Sequence, residues 1–215
     1  MAEPDPERVL ALTYVPAARR PALEALWRLD AAFASVLATG REPMVTRIRL
    51  AWWREALERL DGAPPPAEPL LEALAAHVLS AGVTGAELSA MADGWDAIVG
   101  AEAPDREALD LYATARGATL FGLSARLLGV EAEVGPAGQV WALIDLARHS
   151  ARFEEAMAAM TAARARYAQV RWPAALRPLG MLAVLAARDL RDDVPGKQGG
   201  PSRLLRMIWH RLSGR

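Results

Sequence analysis

There is no cysteine among the 215 residues, so disulfides, thiolate nucleophiles and thiolate metal sites are excluded. Histidine is almost as scarce. His77, His149 and His210 stand far apart, and no HExxH pair or comparable metal-binding spacing exists. There is no excess of either charge. The 25 basic and 26 acidic residues leave a formal net charge of -1, which gives no long-range pull toward nucleic acid. Long apolar runs are missing too: the longest, from about Leu179 to Ala187, is about half of the ~20 residues that a bilayer span requires. The stretch MAEPDPERVLAL carries acids and prolines where a secretion signal has a basic start and an apolar centre. A cytoplasmic location is the expectation, with room for peripheral contact at the inner membrane. No GxSxG elbow is present, and the glycines at 196, 199 and 200 with Lys197 and Ser202 do not spell a phosphate-binding loop.

What is present is helical pattern. Apolar residues make up 53% of the chain, enough at this length to bury a sizeable core without staples. Strand-like alternation is almost absent. Leu88, Met91, Trp95 and Ile98 step by three and four, as do Val45, Ile48, Trp52 and Ala56, which is helix spacing. Leu109, Tyr112, Leu120, Leu123 and Leu127 mark one face of a longer helix. Thr84 with Glu87 three positions on spells a capping box, and Asp105 suits the cap of the next helix. A helix from near Pro136 is expected to pass Ile144 toward Ala158, continuing or restarting toward Val170. The whole predicts an all-α chain of about eight or nine helices. One helical domain over 1–192 is followed by a Gly/Pro loop and a basic helix over 193–215.

Acids at helical spacing occur in three places. Asp93 and Asp96 share a face, Asp189, Asp192 and Asp193 form a DxxDD string, and Glu154 adjoins Glu155. The first two sets read as solvated helix surface, and Glu154–Glu155 has no assigned role. His149 beside Arg148 reads as structural. The most distinctive segment is Arg47–Leu57, RIRLAWWREAL. Its adjacent tryptophans, Trp52 and Trp53, point about 100° apart, so one enters the core while the other packs against a neighbouring helix. Arg49 and Arg54 either hold an anion or pair with Glu55 and Glu58.

That segment, IRLAWWREAL, resembles a stretch of the squalene/phytoene synthase family. ADGWDAIV (Ala92–Val99), LYATARGATLFGLSARLLG (Leu111–Gly129), the Pro173–Arg191 helix and the basic Arg203–Arg215 tail resemble further blocks in the same order. The resemblance runs from about residue 10 onward. It implies the all-helical isoprenoid-synthase fold. Active members condense allylic diphosphates using Mg²⁺ held by two aspartate-rich motifs, because the leaving diphosphate needs its charge neutralised. At the first motif Arg28 matches, but the aspartate positions fall on Ala31, Ala32 and Ser35, and Asp30 lies one residue early. At the second Arg148 matches, the catalytic aspartate becomes His149, the later acids become Arg152 and Phe153, and Asp145 stands alone.

Both metal motifs are therefore degenerate. The resemblance points to a non-catalytic branch of the family, which includes a mitochondrial complex I assembly factor of phytoene-synthase-like type. No catalytic residue, metal ligand or cofactor is expected. Assembly of a respiratory membrane complex, or binding of an isoprenoid-like lipid, is what that branch implies, with Arg49, Trp52, Trp53, Arg54 and Tyr112 as candidate cavity or partner contacts. The alternative is an active prenyl-condensing transferase with a divergent Mg²⁺ site, in which Asp145 meets Asp189, Asp192 and Asp193. The Gly196–Arg215 stretch holds Lys197, Arg203, Arg206, Arg211 and Arg215 with no acid. Either it docks with a basic outer face, or it lies on an anionic membrane surface.

Overall fold

Proline opens helix after helix. Pro6, Pro21, Pro43, Pro69, Pro136, Pro178 and Pro201 each occupy a first turn, where the missing N–H is tolerated and the fixed φ suits the helix. The structure, a computed structural model, describes residues 5–101 and 104–214. Every regular element among them is helical. In chain order they are α1 (Pro6–Thr13), α2 (Arg20–Thr39), α3 (Pro43–Arg59), α4 (Pro69–His77), α5 (Gly85–Asp96), α6 (Arg106–Leu111), α7 (Thr119–Leu127), α8 (Gly135–His149), α9 (Phe153–Arg166), α10 (Arg177–Asp192) and α11 (Pro201–Ser213). Short 3-10 turns cover Leu79–Ala81 and Ala174–Leu176. A π-helical segment, Tyr112–Ala118, joins α6 to α7 without a break. Counted as one rod, these make ten described helices, close to the eight or nine expected.

Two local features set the count and the shape. The helix expected to run on past Ile144 stops at His149, and α9 restarts at Phe153. Ser150 has extended backbone there, and its hydroxyl donates to the Leu146 carbonyl at 2.9 Å, a side-chain bond that competes with the helix ladder. At the other end of the rule, Thr84 and Glu87 form the capping box as expected.

α8 runs through the middle of the core, buried from Ala137 to Ala147 on nearly every side. It packs on the π segment, α7, α9 and α10. Two glycines make the closest of these approaches: a Cβ on Gly117 would lie 2.4 Å from the Gly138 carbonyl oxygen, and one on Gly138 would lie 2.2 Å from that of Gly117. α5 packs between the π segment and α3, and α11 lies on α10 and α1. No helix among the described residues is long and apolar enough to cross a membrane.

Candidate functional site

Three charged residues interrupt apolar helix faces, and all three meet at one point. Asp30 sits on the inner side of α2 between Leu26 and Phe33, and it is fully buried. Arg116 sits on the π segment, one helical step from Tyr112, and is also fully buried. Asp145 lies two turns along α8 from Gly138, so the Gly117–Gly138 approach brings its carboxylate toward Arg116. A π turn accommodates an extra residue and often marks a functional position. Here it carries a charge in the middle of the apolar stripe formed by Leu109, Tyr112 and Leu120.

The geometry is that of a closed ion cluster. Arg116 forks onto Asp30, with Nε donating to Oδ1 at 2.8 Å and Nη2 to Oδ2 at 3.0 Å. Its Nη2 also donates to Asp145 Oδ2 at 2.7 Å, and its Nη1 donates to the Tyr112 hydroxyl. Arg8 of α1 adds a second cation: Nη1 donates to Asp30 Oδ2 at 2.9 Å, and Nη2 lies 3.8 Å from Asp145. Bidentate charge-assisted pairs of this kind are the stronger class of hydrogen bond. Aromatic faces enclose the cations. The Arg116 guanidinium lies 4.2 Å from the Trp95 ring centre and 4.9 Å from that of Trp141, and Arg8 lies 4.8 Å from Trp141.

Protonation follows from this arrangement. Burial by itself raises the Asp145 carboxyl, but Arg116 and then Arg8 outweigh it and hold the group at about 2. Asp30 shows the same balance, with burial opposed by Arg116 and Arg8 and a net lowering. Burial works against the charge of Arg116, yet Asp30, Tyr112 and Asp145 more than restore it. Burial lifts the Tyr112 hydroxyl well above its ordinary range, so it is a neutral phenol that accepts from Arg116. The centre is thus two cations against two anions.

The charges continue outward in a line. Arg148 lies 3.9 Å from Asp145 and donates to Asp189 of α10 at 2.7 Å. Asp189 also accepts from Arg203 of α11 at 2.5 Å and from the Gly196 N–H at 3.0 Å. Arg203 in turn forks onto Glu7 of α1, at 2.6 and 3.1 Å. Burial works against the Arg203 cation, but Glu7 and Asp189 more than offset it. Four acids and four arginines therefore run from α2 to α11. The residual void beside Glu7, Trp141 and Arg148 is about 10 Å³, room for no more than one water. A larger groove of about 150 Å³ lies at the outer side of α8 and α10, under Tyr167, Val170 and Trp172, still below the ~300 Å³ at which ligand pockets begin.

The residues singled out by the sequence are scattered by comparison. Arg28, Ala31 and Ser35 are exposed and Ala32 half-buried, while Asp30 faces inward. Asp30, expected to lie off the site, is at its centre: the inner face of α2 is set by Leu26, Leu29 and Phe33, and position 30 falls on it. Asp145 does not stand alone, since Arg116, Arg8 and Arg148 all address it. His149 is mostly exposed, with Nδ1 2.8 Å from the Asp145 carbonyl oxygen. Asp189 is buried rather than solvated, because α11 covers it with Arg203. Asp192 and Asp193 stay outside, paired with Arg188 and Arg164. Arg49 is exposed and donates to Thr39 Oγ1 at 3.0 Å, and Arg54 pairs with Asp93. Trp53 meets Phe33 edge-on at 6.1 Å, and Trp52 is half-exposed. Tyr112 alone of the suggested contact residues touches the centre. Glu7, Arg8 and Arg116 escaped the sequence reading, and Arg203, expected on a basic outer face, is buried against Glu7 and Asp189. The signal for Arg116 was there: it fills the vacant step of the Leu109–Tyr112–Leu120 stripe.

These residues do not fit a magnesium site. A divalent cation needs several carboxylate or water oxygens turned toward it, and the oxygens of Asp30 and Asp145 are turned to arginines. Among the described residues no three His, Cys, Asp or Glu side chains gather as a metal-binding group.

Against known families, residues 1–152 match the family model described as squalene/phytoene synthase. The matched stretch holds Arg8, Asp30, Arg116, Asp145 and Arg148. It ends at the break between α8 and α9, so the blocks at Pro173–Arg191 and Arg203–Arg215 lie beyond it. No curated protein and no solved structure matches the chain.

Proposed function

We propose that this chain, which belongs to the squalene/phytoene synthase family, is a non-catalytic member that acts through its surface as an assembly helper for a respiratory membrane complex. The observation that carries the reading is the ion cluster. Asp30 and Asp145, the two acids at the centre, are each held by both Arg8 and Arg116. Releasing them to a metal would strand Arg116, fully buried, without its counter-ions, at a cost of several kcal/mol. The void left beside the cluster is too small for a prenyl chain. The respiratory partner rests on the likeness of the WWRE block and the tyrosine-led helix to the non-catalytic branch.

Two experiments separate this from an active transferase. The full chain is incubated with farnesyl or geranylgeranyl diphosphate and Mg²⁺, and released diphosphate is measured. No release above the protein-free control is expected; release that needs both protein and metal overturns the non-catalytic reading. In the host cell, removal of the chain should lower the amount of assembled respiratory complex on native gels and leave isoprenoid products unchanged. The opposite pattern favours the transferase.

A further inference from the structure

α11 is docked inside out. Its inward residues are Arg203, Met207 and His210, all buried. Its outward residues are Leu205, Trp209 and Leu212, which are 67%, 59% and 71% exposed. These three fall at i, i+4 and i+7 and so form one stripe. The orientation is fixed, not loose. Arg203 is held by Glu7 and Asp189, Met207 is fully buried, and Arg177 of α10 donates to the Arg211 and Leu212 carbonyl oxygens at the helix end. Of the two expected arrangements, the docked helix with a basic outer face is therefore corrected: the helix is docked, and its outer face is apolar, because its buried arginine has two acids waiting in the core.

We propose that this outward face of α11 seats the protein on an anionic lipid bilayer. The charge around the stripe selects that occupant. On a helical projection Arg206 borders one side of the stripe, while Arg211 lies farther round toward the buried face, half-buried and stacked 5.6 Å from the Tyr14 ring centre. Exposed Lys197 precedes the helix, and no acid occurs from Val194 to Gly214. A basic-edged apolar stripe with an outward tryptophan is the pattern of a helix lying in the headgroup region. A chain with formal net charge -1 has here concentrated cations where an anionic leaflet would meet them, each worth about a few-fold in binding. Another exposed apolar face, Met44, Val45, Ile48 and Trp52 on α3, is different: Arg47 pairs with Asp96, Arg54 pairs with Asp93, and Glu42 and Glu55 are exposed. Its charges are already balanced. Arg215 lies outside the described residues. The proposal does not depend on whether the protein is catalytic.

Flotation of the full chain with vesicles tests it. Phosphatidylcholine vesicles are compared with vesicles of phosphatidylcholine and phosphatidylglycerol in equal parts, at low and high salt. The wild type is expected to float with the anionic vesicles and to be released by high salt. Leu205→Ser/Trp209→Ser should fall to the level seen with neutral vesicles, and Arg206→Glu/Arg211→Glu should weaken binding more than about tenfold. Circular dichroism melting checks that each variant is folded. Trp209→Ser alone, which touches only the outer stripe, serves if the double variants melt early. Ile48→Ser on α3 should change nothing. Any of four results overturns the assignment: no flotation with either vesicle, equal flotation with both, equal loss from Ile48→Ser, or a dimer by light scattering that the α11 variants abolish while vesicle binding is absent.

Discussion

The centre of the molecule and the outer face of α11 reverse the usual placement of polar and apolar groups, and they do so for opposite reasons. At the centre Asp30, Arg116 and Asp145 are charged and buried and Arg8 is half-buried, each with its partners already inside. On α11 the side chains of Leu205, Trp209 and Leu212 are apolar and exposed. A buried charge that is fully paired asks nothing of a ligand. An exposed apolar stripe asks for a surface. On the readings proposed above, binding belongs to the periphery and not to the centre.

The strongest way to break this contrast is to remove Arg116. Arg116→Met leaves buried Asp30 facing only Arg8, and Asp145 facing Arg8 and Arg148 at 3.8 and 3.9 Å, and should cost about 3–5 kcal/mol, a drop in melting midpoint on the order of 10 °C. Combining it with Asp30→Asn and Asp145→Asn should recover much of that loss. A triple variant no more stable than Arg116→Met would show that the cluster is not electrostatically closed.

Arg203 links the two regions, so it comes next. Arg203→Met removes the cation forked onto buried Glu7 and leaves Asp189 to Arg148 and the Gly196 N–H, and should cost about 3 kcal/mol. Limited proteolysis should then cut near Gly199–Gly200 before the rest of the chain opens; simultaneous cleavage everywhere would mean that α11 is held by packing alone.

Acid sharpens the picture of the interior. The Asp145 carboxyl is held at about 2 against an ordinary 3.8, and Asp30 is lowered as well. A carboxyl lowered on folding adds stability above its unfolded pKa and loses it as pH falls through the folded one. Asp145 should thus contribute about 2 kcal/mol that is present above roughly pH 4 and gone near pH 2. Asp5, raised by its burial, works weakly in the other direction. Denaturant melts between pH 5 and 2 should show the decline, and Asp145→Asn should flatten it.

The smallest effect is expected on the outer stripe. Leu205→Ser should change stability by no more than about 0.5 kcal/mol, because the side chain is mostly in solvent already. A larger loss would mean that the stripe packs on the protein itself, and the contrast between the two regions would disappear.

Much of the helical frame was legible. The Thr84–Glu87 box, the Asp105 cap and the Pro43 start follow from local chemistry, and all appear. The break at Ser150 was half-legible, since a serine hydroxyl competes with the ladder only once the following turn has opened. The site was not legible in the same way. The family's first motif falls on Arg28, Ala31 and Ser35, which the packing of Leu26, Leu29 and Phe33 turns outward. Whether an aspartate on a helix is solvated or paired depends on what comes from other helices. Asp30 meets a partner 86 residues away, and Asp189 is covered only because α11 folds back over it. The π segment has no local sequence code of the kind that caps have.

Glu7 and Arg203 are 196 residues apart in the chain. At translation speeds of about 5–20 residues per second, the ribosome finishes Arg203 roughly 10–40 s after Glu7. Through that interval the fork of Arg203 onto Glu7 cannot form, while Arg8 on the same helix already has Asp30 and then Asp145 within reach. The lock between α1 and α11 is therefore a late contact, made after the centre can close. A nascent chain halted before α11 should hold α1 through Arg8 alone and protect it from protease less well than a chain that includes α11.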